Sequence, residues 1–133
     1  MVASITDQAN LLTYTTVSDN ELARLSTDRM TADSWARFHV VAWTMVKQYL
    51  ADRRPTIAES DLDDTDELLE TTCYAVLYLG YEEMELAGGS DQDKVKKRFW
   101  FRKFRKAFAR VTLTVDGTDV APECFANRRS YRG

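Results

Sequence analysis

The sequence predicts a mainly α fold: a bundle of about four helices with a small C-terminal β-hairpin and extended termini. Three observations carry this. Apolar residues recur at three- and four-residue steps over long stretches of the chain. Only five Gly and two Pro interrupt 133 residues, too few for a loop-rich all-β chain. Near the C-terminus the period changes from helical to alternating, and an Asp-Gly pair follows. The length fits one domain with a real core, and 44% hydrophobic residues fit a folded chain. We divide it into an N-terminal arm (1–17), a helical core (18–117) and a C-terminal extension (118–133).

Residues 1–17 are polar and unpatterned and read as an arm. Ser18 and Asp19 ahead of Glu21 mark a helix start, and SDNELARL is a short helix. Thr31, Asp33 and Ser34 offer caps for the next, which spans Ala32 to Arg53. Its stripe is Trp35, Phe38, Ala42, Met45 and Tyr49, widened by Val41, Val46 and Leu50. Pro55 ends it, since the residue before a proline is pushed out of helical geometry. An acid-rich loop covers 56–64. A third helix runs from about Thr65 to Leu86, carrying Leu68, Leu69, Val76, Leu77, Leu79 and Met84, and Gly88-Gly89 stops it. A fourth starts at Ser90–Asp91, with Asp91 and Asp93 at the positive end of the helix dipole, and continues to about Ala109. RVTLTV (110–115) alternates and is rich in β-branched residues, so it reads as a strand. Asp116-Gly117 turns the chain, and 118–125 returns, limited to an edge by Pro122.

The fourth helix carries the strongest charge signal. Lys94 to Arg110 holds nine bases and no acid. The run contributes +9 to a chain of formal net charge −3, so the rest carries −12. Such polarity points to a partner-facing surface, for nucleic acid or for the acids of another copy. At 100° per residue, Trp100, Phe101, Phe104, Ala107, Phe108 and Val111 share one face, the core face. Most bases fall opposite, and Val95 and Phe99 land among them near Arg102 and Lys106. Aromatic residues beside arginines suit an interface hot spot or base stacking; the plainer reading is a solvated face with one stray Phe.

The counterpart is an acidic block: Glu59, Asp61, Asp63, Asp64, Asp66, Glu67 and Glu70, with no base between them. Asp61-x-Asp63-x-x-Asp66 lacks the glycine and the final Glu of a calcium loop. Its plain role is N-terminal helix charge. Its sharper role, together with Glu82, Glu83 and Glu85, is docking on a neighbour's basic helix at Lys94, Arg98, Phe99, Arg102 and Lys106.

No catalytic constellation emerges. There is no glycine-rich phosphate loop, no GxSxG and no HExxH, so no enzyme and no cofactor is expected. His39, the only histidine, reads as a structural residue on the most apolar helix. Cys73 and Cys124 have no CxxC partner and, with one histidine, build no zinc site. They read as free thiols of a reducing cytoplasm, a 73–124 disulfide being the alternative. No apolar run reaches the roughly 20 residues of a membrane span, and MVASITDQANLLTY has no signal-peptide pattern.

Several stretches carry a resemblance. YTTVSDNELARLS, VKQYLADRRPTI, ETTCYAVLYLGY and the fourth helix leading into RVTLTVDG together resemble the head–tail connector proteins of tailed bacteriophages, also called adaptor or head-completion proteins. The similarity covers about residues 14–117 as an order of elements with short degenerate motifs. The fourth helix departs from the pattern in being unusually basic and aromatic, which leaves open whether it faces DNA, a neighbour or the portal.

The resemblance implies a structural virion protein of the neck, made in the host cytoplasm. Such proteins form a ring, typically of twelve copies, between portal and tail. The ring extends the DNA channel, lets DNA pass without sequence-specific binding and supports the tail or the next completion protein. On that reading the C-terminal extension docks on the portal, with Phe125 and Tyr131 as anchors and Arg128, Arg129 and Arg132 as rim charges. The alternative is a small nucleic-acid-binding or regulatory protein using the helix 94–110. Against it, a DNA binder of this size is more often basic, and this chain has a pI near 5.2.

Overall fold

The computed structural model describes residues 3–28, 31–53, 56–88 and 90–120, with the side chains of 27 and 28 outside the description. The fold is mainly helical, with one two-stranded antiparallel hairpin following the last helix. Five helices occur in order: α1 Gln8–Tyr14, α2 Asp19–Asp28, α3 Ala32–Asp52, α4 Leu69–Leu86 and α5 Asp91–Arg110. The strands β1 Leu113–Val115 and β2 Thr118–Val120 follow.

Local chemistry sets most of these limits. Ser18 Oγ accepts from the Glu21 N–H at 3.1 Å and opens α2. Thr31 caps α3 by accepting from Ser34 N–H at 3.2 Å. Ser90 and Asp93 close a reciprocal capping box, with N–H to side-chain distances of 3.3 and 3.1 Å; a cap of this kind contributes about 1 kcal/mol. At the end of α4, Gly88 adopts φ 89°, the left-handed geometry that terminates a helix. The hairpin turn needs two such residues and has them, Asp116 at φ 52° and Gly117 at φ 77°, as a tight two-residue hairpin loop requires. Leu113 pairs with Val120 and Val115 with Thr118.

The core lies where α3 and α5 close on α4. From α5, Trp100, Phe104 and Phe108 are buried. Tyr49 of α3 meets Phe104 and Phe108 edge-on, with ring centroids at 5.0 and 5.4 Å, and Tyr74 of α4 stacks on Trp100 at 5.8 Å. Aromatic pairs in these geometries add about 0.5–1.5 kcal/mol beyond the area they bury. Leu113 of β1 is fully buried against the same core.

Four details differ from the sequence reading. The segment expected as an arm contains α1, whose Leu11 is fully buried and which packs on α4. Asp7 and Asn10 cap it reciprocally, at 3.1 and 2.8 Å. On α3, Val41 is 39% exposed while Trp43 is fully buried: the inward stripe is rotated toward His39 and Trp43, because α1 covers the His39 side. The acid-rich loop holds two short 3-10 turns, Glu59–Asp61 and Asp66–Leu68, and α4 begins only at Leu69. The strand begins at Leu113 rather than Arg110, because α5 runs to Arg110.

Pro55, Gly89 and residues 121–133 lie outside the described residues. That stretch includes Pro122, Cys124 and the expected docking residues Phe125, Arg128, Arg129, Tyr131 and Arg132. Among the described residues, no helix is long and apolar enough to cross a membrane, and no cluster of His, Cys, Asp and Glu is arranged to hold a metal.

Candidate interaction surface on α5

Helix α5 buries one stripe and leaves the rest to solvent. Phe104 is fully buried, Phe108 3% exposed and Trp100 2% exposed. On the far side Val95 and Phe99 are 58% and 38% exposed, one helical turn apart on the same ridge. Lys94, Arg98, Arg102 and Lys106 are exposed around them. Lys103 lies over the Phe99 ring, 5.6 Å from its centroid, a cation–π contact that holds the aromatic in place. The residues grouped from the sequence as a basic face with stray apolar side chains therefore occupy one surface.

Phe99 also borders a groove of about 550 Å³ between α4 and α5. Arg102, Lys103, Lys106 and Arg110 line it from α5, and Tyr74, Glu70 and Glu67 from the opposite wall. Tyr74 donates to Glu70 at 3.2 Å. Burial and this carboxylate push the Tyr74 hydroxyl above its ordinary range, so it remains a neutral donor at physiological pH.

The acids fare differently from the bases. Asp63 and Glu67, expected to face a partner, fasten the hairpin of their own chain. The Asp63 carboxylate accepts the Asp116 and Gly117 N–H groups at 2.9 and 2.7 Å, and its own N–H reaches Thr114 O at 3.0 Å. Glu67 accepts Thr114 N–H at 2.9 Å and Thr114 Oγ1–H at 3.0 Å. Asp61 caps Ala58 N–H at 2.9 Å and Asp64 accepts Asp66 N–H at 2.7 Å. A carboxylate bound to turn N–H groups is the strong, charge-assisted kind of hydrogen bond. Asp61, Asp63 and Asp64 remain exposed; Glu67 is half-buried.

The α4 acids are also engaged. Glu82 accepts from Tyr78 at 3.0 Å, Glu83 lies 4.0 Å from Arg37, and Glu85 is bonded to Lys97 of the adjacent α5. The Lys97 ammonium holds the Glu85 carboxyl below its usual range. The basic helix thus meets one of the expected docking acids within its own chain.

Two buried polar groups fit structural roles. His39 is 4% exposed; its Nδ1 lies 2.6 Å from Thr6 Oγ1 and its Nε2 2.8 Å from Gln8 Oε1. Burial pushes this imidazole below its ordinary pKa, against the opposing pull of Asp7. It ties the N-terminal segment to α3 through Thr6 and Gln8. Cys73 is fully buried, and burial, then Asp7 and Glu70, pushes its thiol up to about 12, which leaves it without thiolate reactivity.

Sequence reasoning missed Tyr74 and Lys103 as members of the surface. Their signal was present only as an aromatic on α4 and a further base on α5, and nothing local says that these two helices share a groove. No family model, no curated protein and no solved structure matches this chain.

Proposed function

We propose that this chain is a structural assembly subunit of the head–tail connector kind, forming a ring between portal and tail. One observation carries the reading. α5 presents an apolar ridge, Val95 and Phe99, within a field of exposed bases. A large exposed aromatic flanked by cations is the usual make-up of an interface anchor. The resemblance over residues 14–117 supplies the kind of interface. A ring of like subunits places many weak contacts side by side, so effective concentration raises their combined strength. On this reading the α5 ridge faces a neighbouring subunit. The segment with Phe125, Arg128, Arg129, Tyr131 and Arg132 reaches the portal, and DNA passes through the ring without sequence readout.

The same bases with Phe99 and Tyr74 are the observation that favours a second reading, a single-stranded nucleic acid bound by stacking and charge. One experiment separates the two: co-sedimentation of the purified chain with DNA-filled, portal-bearing capsids that lack tails, at moderate and high salt, with and without nuclease. Saturable binding of about a dozen copies that survives nuclease is the connector result. Binding that disappears with nuclease, or that occurs equally on free DNA and falls steeply with salt, overturns the connector reading in favour of nucleic acid.

A further inference from the structure

Helix α5 is electrically divided along its length. Near its start two of the four bases are matched within the chain: Lys96 lies 3.8 Å from Glu21, and Lys97 is bonded to Glu85. Further along, Arg102, Lys103, Arg105, Lys106 and Arg110 form no ion pair among the described residues. Four of these five line the α4–α5 groove, against two carboxylates on the facing wall. One of those, Glu67, already binds Thr114 through both oxygens. The groove is therefore left positive, with Phe99 exposed at its edge.

A second unmatched set lies on the loop before α4. Asp61, Asp63, Asp64 and Asp66 are exposed and form no ion pair among the described residues. The hydrogen bonds that Asp61, Asp63 and Asp64 accept from backbone N–H groups shape the loop without neutralising it. The loop is further fixed by the bridge between Leu62 and Val115. It is thus a rigid, negatively charged projection whose ordering cost is met on folding, the condition under which charge complementarity is turned into binding.

We infer that the α4–α5 groove receives the 59–66 loop of a second copy of this chain. Within one copy none of residues 59–66 lines the groove, and Asp63 and Leu62 fasten the loop to its own hairpin. Any two copies offer a complementary pair. The contact joins two different patches, so it is heterologous, and successive copies close a ring or extend as an open chain. A long polyanion fits the chain less well, because outside the basic run the sequence carries −12, a net charge that repels it. A loop of eight residues touches only the groove. The inference rests on the assembly reading above only in requiring that copies meet, and it specifies the surfaces.

The test is sedimentation velocity of the full chain at low and high salt, with two charge variants whose thermal melts match the wild type. Lys103→Glu with Lys106→Glu reverses the groove. Asp64→Lys with Asp66→Lys cancels the charge of the loop, two Lys standing against Asp61 and Asp63. The wild type is expected to associate at low salt and dissociate at high salt, and each variant alone to stay monomeric. Mixed, the intact loop of the first fills the intact groove of the second, giving at least a one-to-one heterodimer, which the introduced Lys and Glu, being of opposite sign, extend further. A wild type that stays monomeric at low salt overturns the inference. So does self-association of either variant, or a mixture of folded variants that forms no heterodimer. A labelled poly(dT) strand bound by the wild type and lost from the groove variant, without self-association, assigns the groove to nucleic acid and also overturns it. The heterodimer without capsid binding leaves this inference standing and removes the connector reading; capsid binding without the heterodimer does the reverse.

Discussion

Helices α4 and α5 pack against each other along most of their length, yet they distribute their side chains in opposite ways. α4 is buried at nine positions, from Thr71 through Ala75, Val76 and Leu77 to Met84, which fall all round the helix. It contacts α1, α3 and α5 at once. Even its polar groups are served internally, as when Thr72 Oγ1 donates to Leu68 O at 2.7 Å. α5 buries the stripe Trp100, Phe104 and Phe108 and gives its other face to solvent. A helix packed against three others keeps only narrow strips of surface, such as Glu70 and Tyr74 at the groove wall. A helix that covers the core from one side keeps a face free. The hub therefore carries the stability, and on the proposed reading the cover carries the recognition, so substitutions should separate the two.

The largest effect is expected at the hub. Leu77 is fully buried, and Leu77→Ala should lower stability by about 2–5 kcal/mol, read as a fall in the urea midpoint at unchanged slope. A loss below 1 kcal/mol would show that α4 is not the centre of the core. Next comes the fastening between hub and hairpin. Glu67→Ala removes the acceptor for Thr114 N–H and should cost about 1–3 kcal/mol. Faster amide exchange at Thr114 and Val115 should appear before any global loss; unchanged exchange there would mean the hairpin holds without Glu67.

A smaller effect concerns the N-terminal segment. Because burial lowers the His39 pKa below the ordinary 6.5 of an imidazole, the unfolded chain takes up a proton before the folded one does. Stability should therefore fall as pH drops below 6.5 and stop falling once the pH passes the lower folded value. Thr6, Gln8 and Asp7 are the groups at this site, and only Asp7 favours the cation. His39→Gln should flatten the slope of melting temperature against pH in that window. An unchanged slope would assign it to carboxylates.

The smallest effect on stability is expected on the cover. Phe99→Ala and Arg102→Glu lie on the outer face and should each cost no more than about 1 kcal/mol of stability, while weakening the assembly proposed above. A large stability loss from either would show that the outer face of α5 supports the fold, and the contrast between the two helices would fail.

Much of this architecture was legible in the residues. Thr31, Ser90 with Asp93, and Asp116-Gly117 each act on backbone groups within three residues, so the limits they set do not depend on the rest of the chain. The amphipathic division of α5, with Trp100, Phe104 and Phe108 inward and Phe99 outward, follows from helical geometry alone. The seven-residue α1 was not legible, since one buried residue, Leu11, makes no periodicity. Its sign was the Asp7–Asn10 cap, a weak variant of the usual pattern.

The sequence by itself determined that the chain is mainly α with a terminal hairpin, that Thr31 and Ser90 open α3 and α5, and that one helix face is cationic. Tertiary structure alone decided which charges remain unmatched. Asp63 binds a turn 53 and 54 residues away, Glu67 a strand residue 47 away, and Lys97 an acid 12 residues back. Charge counts along a chain give the number of acids and bases, but pairing depends on distance through the fold, and an ion pair forms only where packing brings two side chains within a few ångströms. The same reason placed Trp43 inside and Val41 outside, because which flank of the α3 stripe is covered depends on where α1 docks.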